Sequence, residues 1–232
     1  MLPTLNESPR YSLTVPSTGK KIRYRPYLVK EEKVLLMASE TKDANQIQDA
    51  IIDTIRACTD NKLNVRELTS FDIEYLFVKL RAKSVGESIT LYLPCQKEEC
   101  KQRNEVIMNL DEVQCPVDKK KNMVVELSDT ISIEMKYPGY DIVAPTDSKE
   151  EHAFHIIAQC IKYVITNDER IDVSDEPEEE VRRFLESMTR EQFDKVTSFI
   201  RDIPQVEYTI EYDCTTCGEH NEVEVKGMQN FF

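Results

Sequence analysis

The 232-residue chain has no tryptophan and only five glycines. So few glycines leave little room for a loop that lets backbone approach a phosphate closely. No Gly-x-Ser-x-Gly, no phosphate loop and no Cys/His nucleophile arrangement occurs, so the residues point to no enzyme. Positive charge is also short: 30 Lys and Arg stand against 43 Asp and Glu, a net charge of −13. That balance argues against unaided binding to nucleic acid or anionic lipid, which needs concentrated cations. No apolar run approaches bilayer length, and the N-terminus lacks the apolar core of a signal peptide. The expectation is a soluble chain made in a reducing compartment, with no membrane partner. It is long enough for one large domain or two small ones with a sizeable core.

What the chain does have is cysteine in pairs. Cys95-Gln-Lys-Glu-Glu-Cys100 and Cys214-Thr-Thr-Cys217-Gly218 supply four thiols, with 113 residues between Cys100 and Cys214. Two such pairs are an economical way to give one tetrahedral zinc four thiolates, and the metal would clip two remote segments together. Gly218 suits the turn under a metal because it tolerates positive φ. The flanks support hairpins. Ile89-Thr-Leu-Tyr-Leu93 leads into the first pair and Val106-Ile-Met-Asn-Leu110 leads out. Val206, Tyr208, Ile210 and Tyr212 alternate with polar residues ahead of the second pair, a period of two. Glu222-Val-Glu-Val-Lys226 returns behind it. The competing readings are free buried thiols, a disulfide, which a reducing compartment disfavours, and redox chemistry at Cys214 and Cys217. The last prefers a strand-to-helix setting, whereas a strand follows here.

From the N-terminus, Tyr11-Ser-Leu-Thr-Val15 and Lys21-Ile-Arg-Tyr-Arg25 read as a hairpin around Pro16-Ser-Thr-Gly19. An apolar helical stretch follows at 34–38. Asp43-x-x-Gln46 reads as a capping box opening a helix with Ile47, Ile51, Ile55 and Cys58 on one face. A third helix spans about 67–83, with Phe71, Tyr75, Leu76 and Leu80 inward. A second hairpin pairs 123–127 with 131–135. Ser148-x-x-Glu151 caps a helix whose stripe is Ala153, Ile156, Ile157, Cys160, Ile161 and Val164. Residues 168–180 carry eight acids and one Arg, and read as a solvated loop entering a helix first turn. Val181, Phe184, Leu185 and Met188 complete that helix. Thr189-x-x-Gln192 caps the last one, with Phe193, Val196 and Ile200, ending before Pro204.

These elements predict an α+β fold: a helical core, short antiparallel hairpins, and a zinc-ribbon-like unit built from two remote cysteine hairpins. The expected organisation is 1–85, a hairpin plus helices; 86–115 with 204–232, the split ribbon; and 116–203, a hairpin plus C-terminal helices. The ligand set is Cys95, Cys100, Cys214 and Cys217 around one structural zinc. Cys115 and His220 compete as ligands, and Cys58 and Cys160 fall on helical core stripes. His152 and His155 share a helix face without a third ligand. The acidic run lacks the alternating oxygens and central Gly of a calcium loop. Phe231 and Phe232 end the chain, where two aromatics either fold back on the core or anchor into a partner's pocket.

Several blocks together resemble a known family. They are Val15-Pro16-Ser17-Thr18-Gly19, Tyr24-Arg25-Pro26-Tyr27-Leu28-Val29-Lys30-Glu31-Glu32-Lys33 and Phe71-Asp72-Ile73-Glu74-Tyr75-Leu76-Phe77. Arg81-Ala-Lys-Ser84-Val-Gly86, the cysteine pairs and Gly227-x-x-x-Phe231-Phe232 complete the pattern. The chain resembles the baseplate hub subunit, or hub assembly protein, of T4-type contractile-tailed bacteriophages. The resemblance implies a non-enzymatic role in assembling the central baseplate hub, as subunit or chaperone. It implies hub, spike or tape-measure proteins as partners, the host cytoplasm during assembly, and the virion where the protein stays in the tail. The rival reading is a zinc-ribbon transcription regulator contacting polymerase or nucleic acid. It fits poorly with Glu207, Glu211 and Asp213 beside the second cysteine pair.

Overall fold

The computed structural model describes residues 8–140 and 149–228, with side chains from residue 154 onward in the second stretch. The chain is α+β: six helices and short antiparallel sheets among the described residues. It divides into two units, residues 1–117 with 205–232, and residues 118–204.

The first unit opens with strands β1 (Tyr11–Thr14) and β2 (Lys21–Tyr24), which pair antiparallel with Leu13 opposite Ile22. Gly19, at φ 69°, turns the chain between them. Helix α1 (Val29–Thr41) contains the apolar stretch expected at 34–38, and most of that stretch faces solvent. Glu31 and Ala38 are buried, whereas Val29 is 80 % exposed, Leu36 60 % and Met37 58 %. Glu31 tolerates burial because its carboxylate accepts from the Arg25 guanidinium at 2.9 Å and the Leu28 N–H at 2.7 Å.

Asp43 caps α2 (Ala44–Cys58) by accepting from the Asn45 and Gln46 N–H groups, and Ile51, Ile55 and Cys58 are buried on it. Helix α3 (Ser70–Ser84) begins later than expected, because a short 3-10 turn (Val65–Glu67) precedes it. It carries a full capping box between Thr69 and Asp72. The fully buried Asp72 also accepts from the Ser17 N–H at 2.9 Å and the Ser17 hydroxyl at 2.5 Å. One carboxylate thereby ties the β1–β2 turn to the start of α3. Strands β3 (Ser88–Pro94) and β4 (Arg103–Asn109) follow as a hairpin, Ser88 opposite Asn109 and Pro94 opposite Arg103.

In the second unit, β5 (Val124–Glu126) and β6 (Ile131–Met135) form the expected hairpin across residues 128–130. Helix α4 (Lys149–Cys160) stops at Cys160, and β7 (Ile161–Thr166) begins at the next residue. Ile161 and Val164, expected on the helical stripe, therefore lie on a strand. The reason is composition: Ile161-Lys-Tyr-Val-Ile-Thr166 is rich in β-branched and aromatic residues, which pack well on a pleated surface. Ile133 opposite Val164 fixes its register on β6. Part of the acidic run is also strand. β8 (Arg170–Asp172) pairs with β7 and completes a four-stranded sheet ordered β5-β6-β7-β8. Helix α5 (Glu178–Glu186) starts after Pro177 with three glutamates in its first turn, and α6 (Arg190–Arg201) starts at the Thr189/Gln192 capping box. Ile133, Met135, Cys160, Ile161, Leu185, Val196 and Phe199 share the core of this unit.

The chain then returns to the first unit as the hairpin β9 (Glu207–Asp213) and β10 (His220–Lys226), Asp213 opposite His220. Its Val206, Ile210 and Val225 share one core with Met108, Leu110 and Val113, and with Val78 and Ala82 of α3. A Gln114–Glu207 bridge, with N–H···O distances of 3.0 and 2.8 Å, aligns the two arms of chain. Shared burial brings the tips of the two cysteine hairpins together. Among the described residues, no helix is long and apolar enough to cross a membrane.

Candidate metal centre

The four sulfurs of Cys95, Cys100, Cys214 and Cys217 all lie within 4.8 Å of one another. Cys95 Sγ is 3.7 Å from Cys217 Sγ, and Cys100 Sγ is 3.8 Å from Cys214 Sγ. A tetrahedral zinc with ordinary zinc–thiolate bonds has sulfurs about 3.8 Å apart along each edge. A disulfide holds its sulfurs at about 2 Å, so these are separate thiols spaced as metal ligands are. Both close pairs run between hairpins, and a shared ion would staple β3–β4 to β9–β10.

Each tip is a backbone knuckle. The Cys95 N–H donates to the Gln102 carbonyl and the Cys214 N–H to the Glu219 carbonyl, both at 2.8 Å. The residue after the second cysteine is left-handed in both: Lys101 at φ 47° and Gly218 at φ 71°. Two buried asparagines lock the knuckles reciprocally. Asn104 donates to the Gln102 carbonyl of its own hairpin, and its Oδ1 accepts from the Thr215 N–H and hydroxyl, both at 3.0 Å. Asn221 donates to the Glu219 carbonyl of its own hairpin at 2.7 Å, and its Oδ1 accepts from the Gln96 N–H at 2.7 Å. Each asparagine thus grips the residue after the opposite hairpin's first cysteine. Tyr212 adds a hydroxyl donated to the Pro94 carbonyl at 2.7 Å.

The thiols do not share charge evenly. Backbone N–H groups of Cys217 and Thr216 pull the Cys214 thiol down to about 6. At Cys100 the Gln102 N–H pulls the same way, but desolvation and the Cys217 and Cys214 sulfurs push it up to about 11. Cys95 is raised, chiefly by desolvation. The Cys214 thiolate forms readily, and Cys95 and Cys100 resist ionising beside it. A divalent cation at the centre removes that conflict, because a metal deprotonates the thiols that coordinate it.

Over the whole described chain, this architecture accompanies a sequence match: the profile of the T4 bacteriophage base plate protein family matches residues 8–232. The chain belongs to that family. No curated protein and no solved structure matches it.

Among the described residues of the baseplate protein, the clustered candidate ligands are these four cysteines alone. Cys115 packs against the first unit's core, and burial pushes its thiol up to about 12. His220 is exposed, and its Nδ1 lies 2.9 Å from the Asp213 carboxylate, which raises its pKa. In the second unit, His155 Nε2 lies 2.7 Å from the Gln159 side-chain nitrogen, while the His152 side chain lies outside the described residues. Cys58 and Cys160 are wholly buried, and burial pushes both thiols up. Phe231 and Phe232 lie outside the described residues. The asparagines are what spacing did not single out, although a signal exists. Cys100-Lys-Gln-Arg-Asn104 and Cys217-Gly-Glu-His-Asn221 repeat one Cys-x-x-x-Asn interval.

Proposed function

We propose that this baseplate protein acts without catalysis in assembling the central hub, as a hub subunit or as an assembly chaperone. In this reading Cys95, Cys100, Cys214 and Cys217 hold one structural zinc and make the paired hairpins a split zinc ribbon. Four thiolates fill a tetrahedral zinc and leave no position for water or substrate, which suits a structural role. The observation that carries the assembly role is the outer face of α1. Val29, Leu36 and Met37 fall on one side of the helix, at i, i+7 and i+8, and all are exposed. An apolar row kept in solvent is the mark of a surface that a partner covers. The partners fitting the resemblance are hub, spike or tape-measure proteins, with Phe231 and Phe232 as a second anchor. Assembly would take place in the host cytoplasm, and presence of the protein in purified tails separates subunit from chaperone.

The test is co-expression with individual tail proteins of the same phage, followed by pull-down. One tail protein should be retained, and Leu36→Glu with Met37→Glu should weaken retention at least about tenfold while leaving the melting temperature unchanged. Deleting Phe231 and Phe232 should weaken it further. Tight, salt-sensitive DNA or polymerase binding with no tail-protein partner would instead support a transcription regulator.

A further inference from the structure

A second surface of the first unit has a chemistry at odds with the rest of the chain. A hollow of about 440 Å³ opens between β2 and the loop after α2. Arg10, Lys20, Lys21, Arg23 and Lys62 line it, with Asp60 as its single carboxylate. Ile22 and Leu63 give it apolar lining against which lysine stems can lie. Lys21 and Arg23 alternate along β2 with buried Ile22 and Tyr24, so both are held on the outer side of the strand.

Asp60 is already taken. Arg10 donates to both of its oxygens at 2.9 and 3.1 Å, and that pairing lowers the Asp60 pKa. Among the described residues, Lys20, Lys21, Arg23 and Lys62 form no ion pair. Lys62 shares the field of Asp60 with Arg10, and among the described residues Lys20, Lys21 and Arg23 have no carboxylate paired to them, so positive charge is concentrated around one concavity. The loop at this end of α2 places its C-terminal carbonyls nearby, which eases cation crowding. A helix end amounts to only about half a negative charge, however, and leaves most of the positive field uncompensated.

We propose that this hollow is a docking site for a short acidic segment of a partner protein, separate from the α1 face and independent of the hub reading. The hollow is too short for a nucleic acid to exploit. A duplex presents a charge about every 1.7 Å along its length and needs cations well beyond the five that line this hollow. An acidic peptide ends where the cations end. Paired guanidinium and ammonium groups receive its carboxylates.

The probe is a fluorescently labelled octaglutamate peptide titrated into the full chain, read by anisotropy. Saturable binding that weakens severalfold between low and physiological salt is expected. Lys21→Glu with Arg23→Glu should reduce affinity at least about tenfold, and Lys20→Gln with Lys62→Gln by a smaller factor. All four residues are exposed, and an unchanged circular dichroism melt verifies folding of each variant. Affinity unaltered by the Lys21/Arg23 reversal overturns the proposal. So does displacement of the peptide by equimolar inorganic phosphate, or by a single-stranded oligonucleotide of equal charge.

Discussion

Asn104 and Asn221 set the geometry of the thiol cluster from outside it. Each is itself buried and bonds part-buried backbone groups on both hairpins, so each resists any sliding of one knuckle over the other. Removing one takes away part-buried hydrogen bonds to both knuckles at once. Asn221→Ala should lower stability by about 1–3 kcal/mol in urea unfolding. The same variant should weaken metal affinity about 10–100-fold in a chelator competition, the range for groups that orient ligands. Asn221→Ala with undiminished metal affinity would mean that the cysteines find their geometry unaided. Asn104→Ala should behave alike, because its bonds mirror those of Asn221.

At the scale of elements, the two knuckles solve one backbone problem with different residues. Gly218 takes its left-handed conformation freely, whereas Lys101 takes it against the clash of its own Cβ. Gly218→Ala should cost about 1 kcal/mol, with no steric addition because a Cβ there meets nothing within 4 Å. Lys101→Gly should be neutral or stabilising by up to about 1 kcal/mol, since relief of the clash opposes the extra freedom of the unfolded chain. Urea midpoints at saturating zinc measure both. Similar losses from the two substitutions would contradict the equivalence of the knuckles. Helix α1 follows a different logic: Glu31 anchors its inner face through Arg25, and the apolar side chains are left outside.

For the whole molecule, a metal shared by the two hairpins would join segments more than a hundred residues apart. The unfolded chain has no such site, so binding energy at the centre is folding energy. Purified protein should contain one zinc, and chelation should lower the melting temperature of the first unit. Zinc retained by a Cys214→Ser, Cys217→Ser double variant would remove the assignment. Two glutamates give stability opposite responses to pH. Burial raises the Glu74 pKa, outweighing the N–H that Met228 donates to it. The folded state therefore holds that proton longer, and the Glu74 contribution falls as pH rises from the ordinary carboxyl value of 4.5 toward the raised one. At Glu31 burial pushes upward too, but the Arg25 and Leu28 hydrogen bonds prevail and lower its pKa. Its contribution is present above 4.5 and is lost as pH falls toward the lowered value. Glu74→Gln should make the urea midpoint rise more steeply between about pH 4.5 and 7, because the opposing slope disappears. An unchanged slope would show that Glu74 titrates normally.

The paired cysteines, the alternating strands beside them, the caps Asp43 and Thr189 and the amphipathic faces of α2, α5 and α6 were legible in the sequence because each is a local signal, while the Ser148/Glu151 cap lies outside the described residues. Spacing, a period of two and a side chain three residues from an N–H need no distant partner. The fate of Ile161-Lys-Tyr-Val-Ile-Thr166 was not local. Its apolar positions also continue a helical stripe, and pairing with β6 and β8 decided for strand. Helix α1 misleads for the same reason: apolar residues imply burial until Arg25 arrives to neutralise Glu31 and turns the other face outward. The sequence determined by itself that two cysteine pairs existed and that each sat on a hairpin, and it left Cys115 and His220 competing with them. Only the tertiary structure decided that they meet, because their meeting depends on β4 and β9 sharing one core and on two asparagines bonding across to the opposite chain.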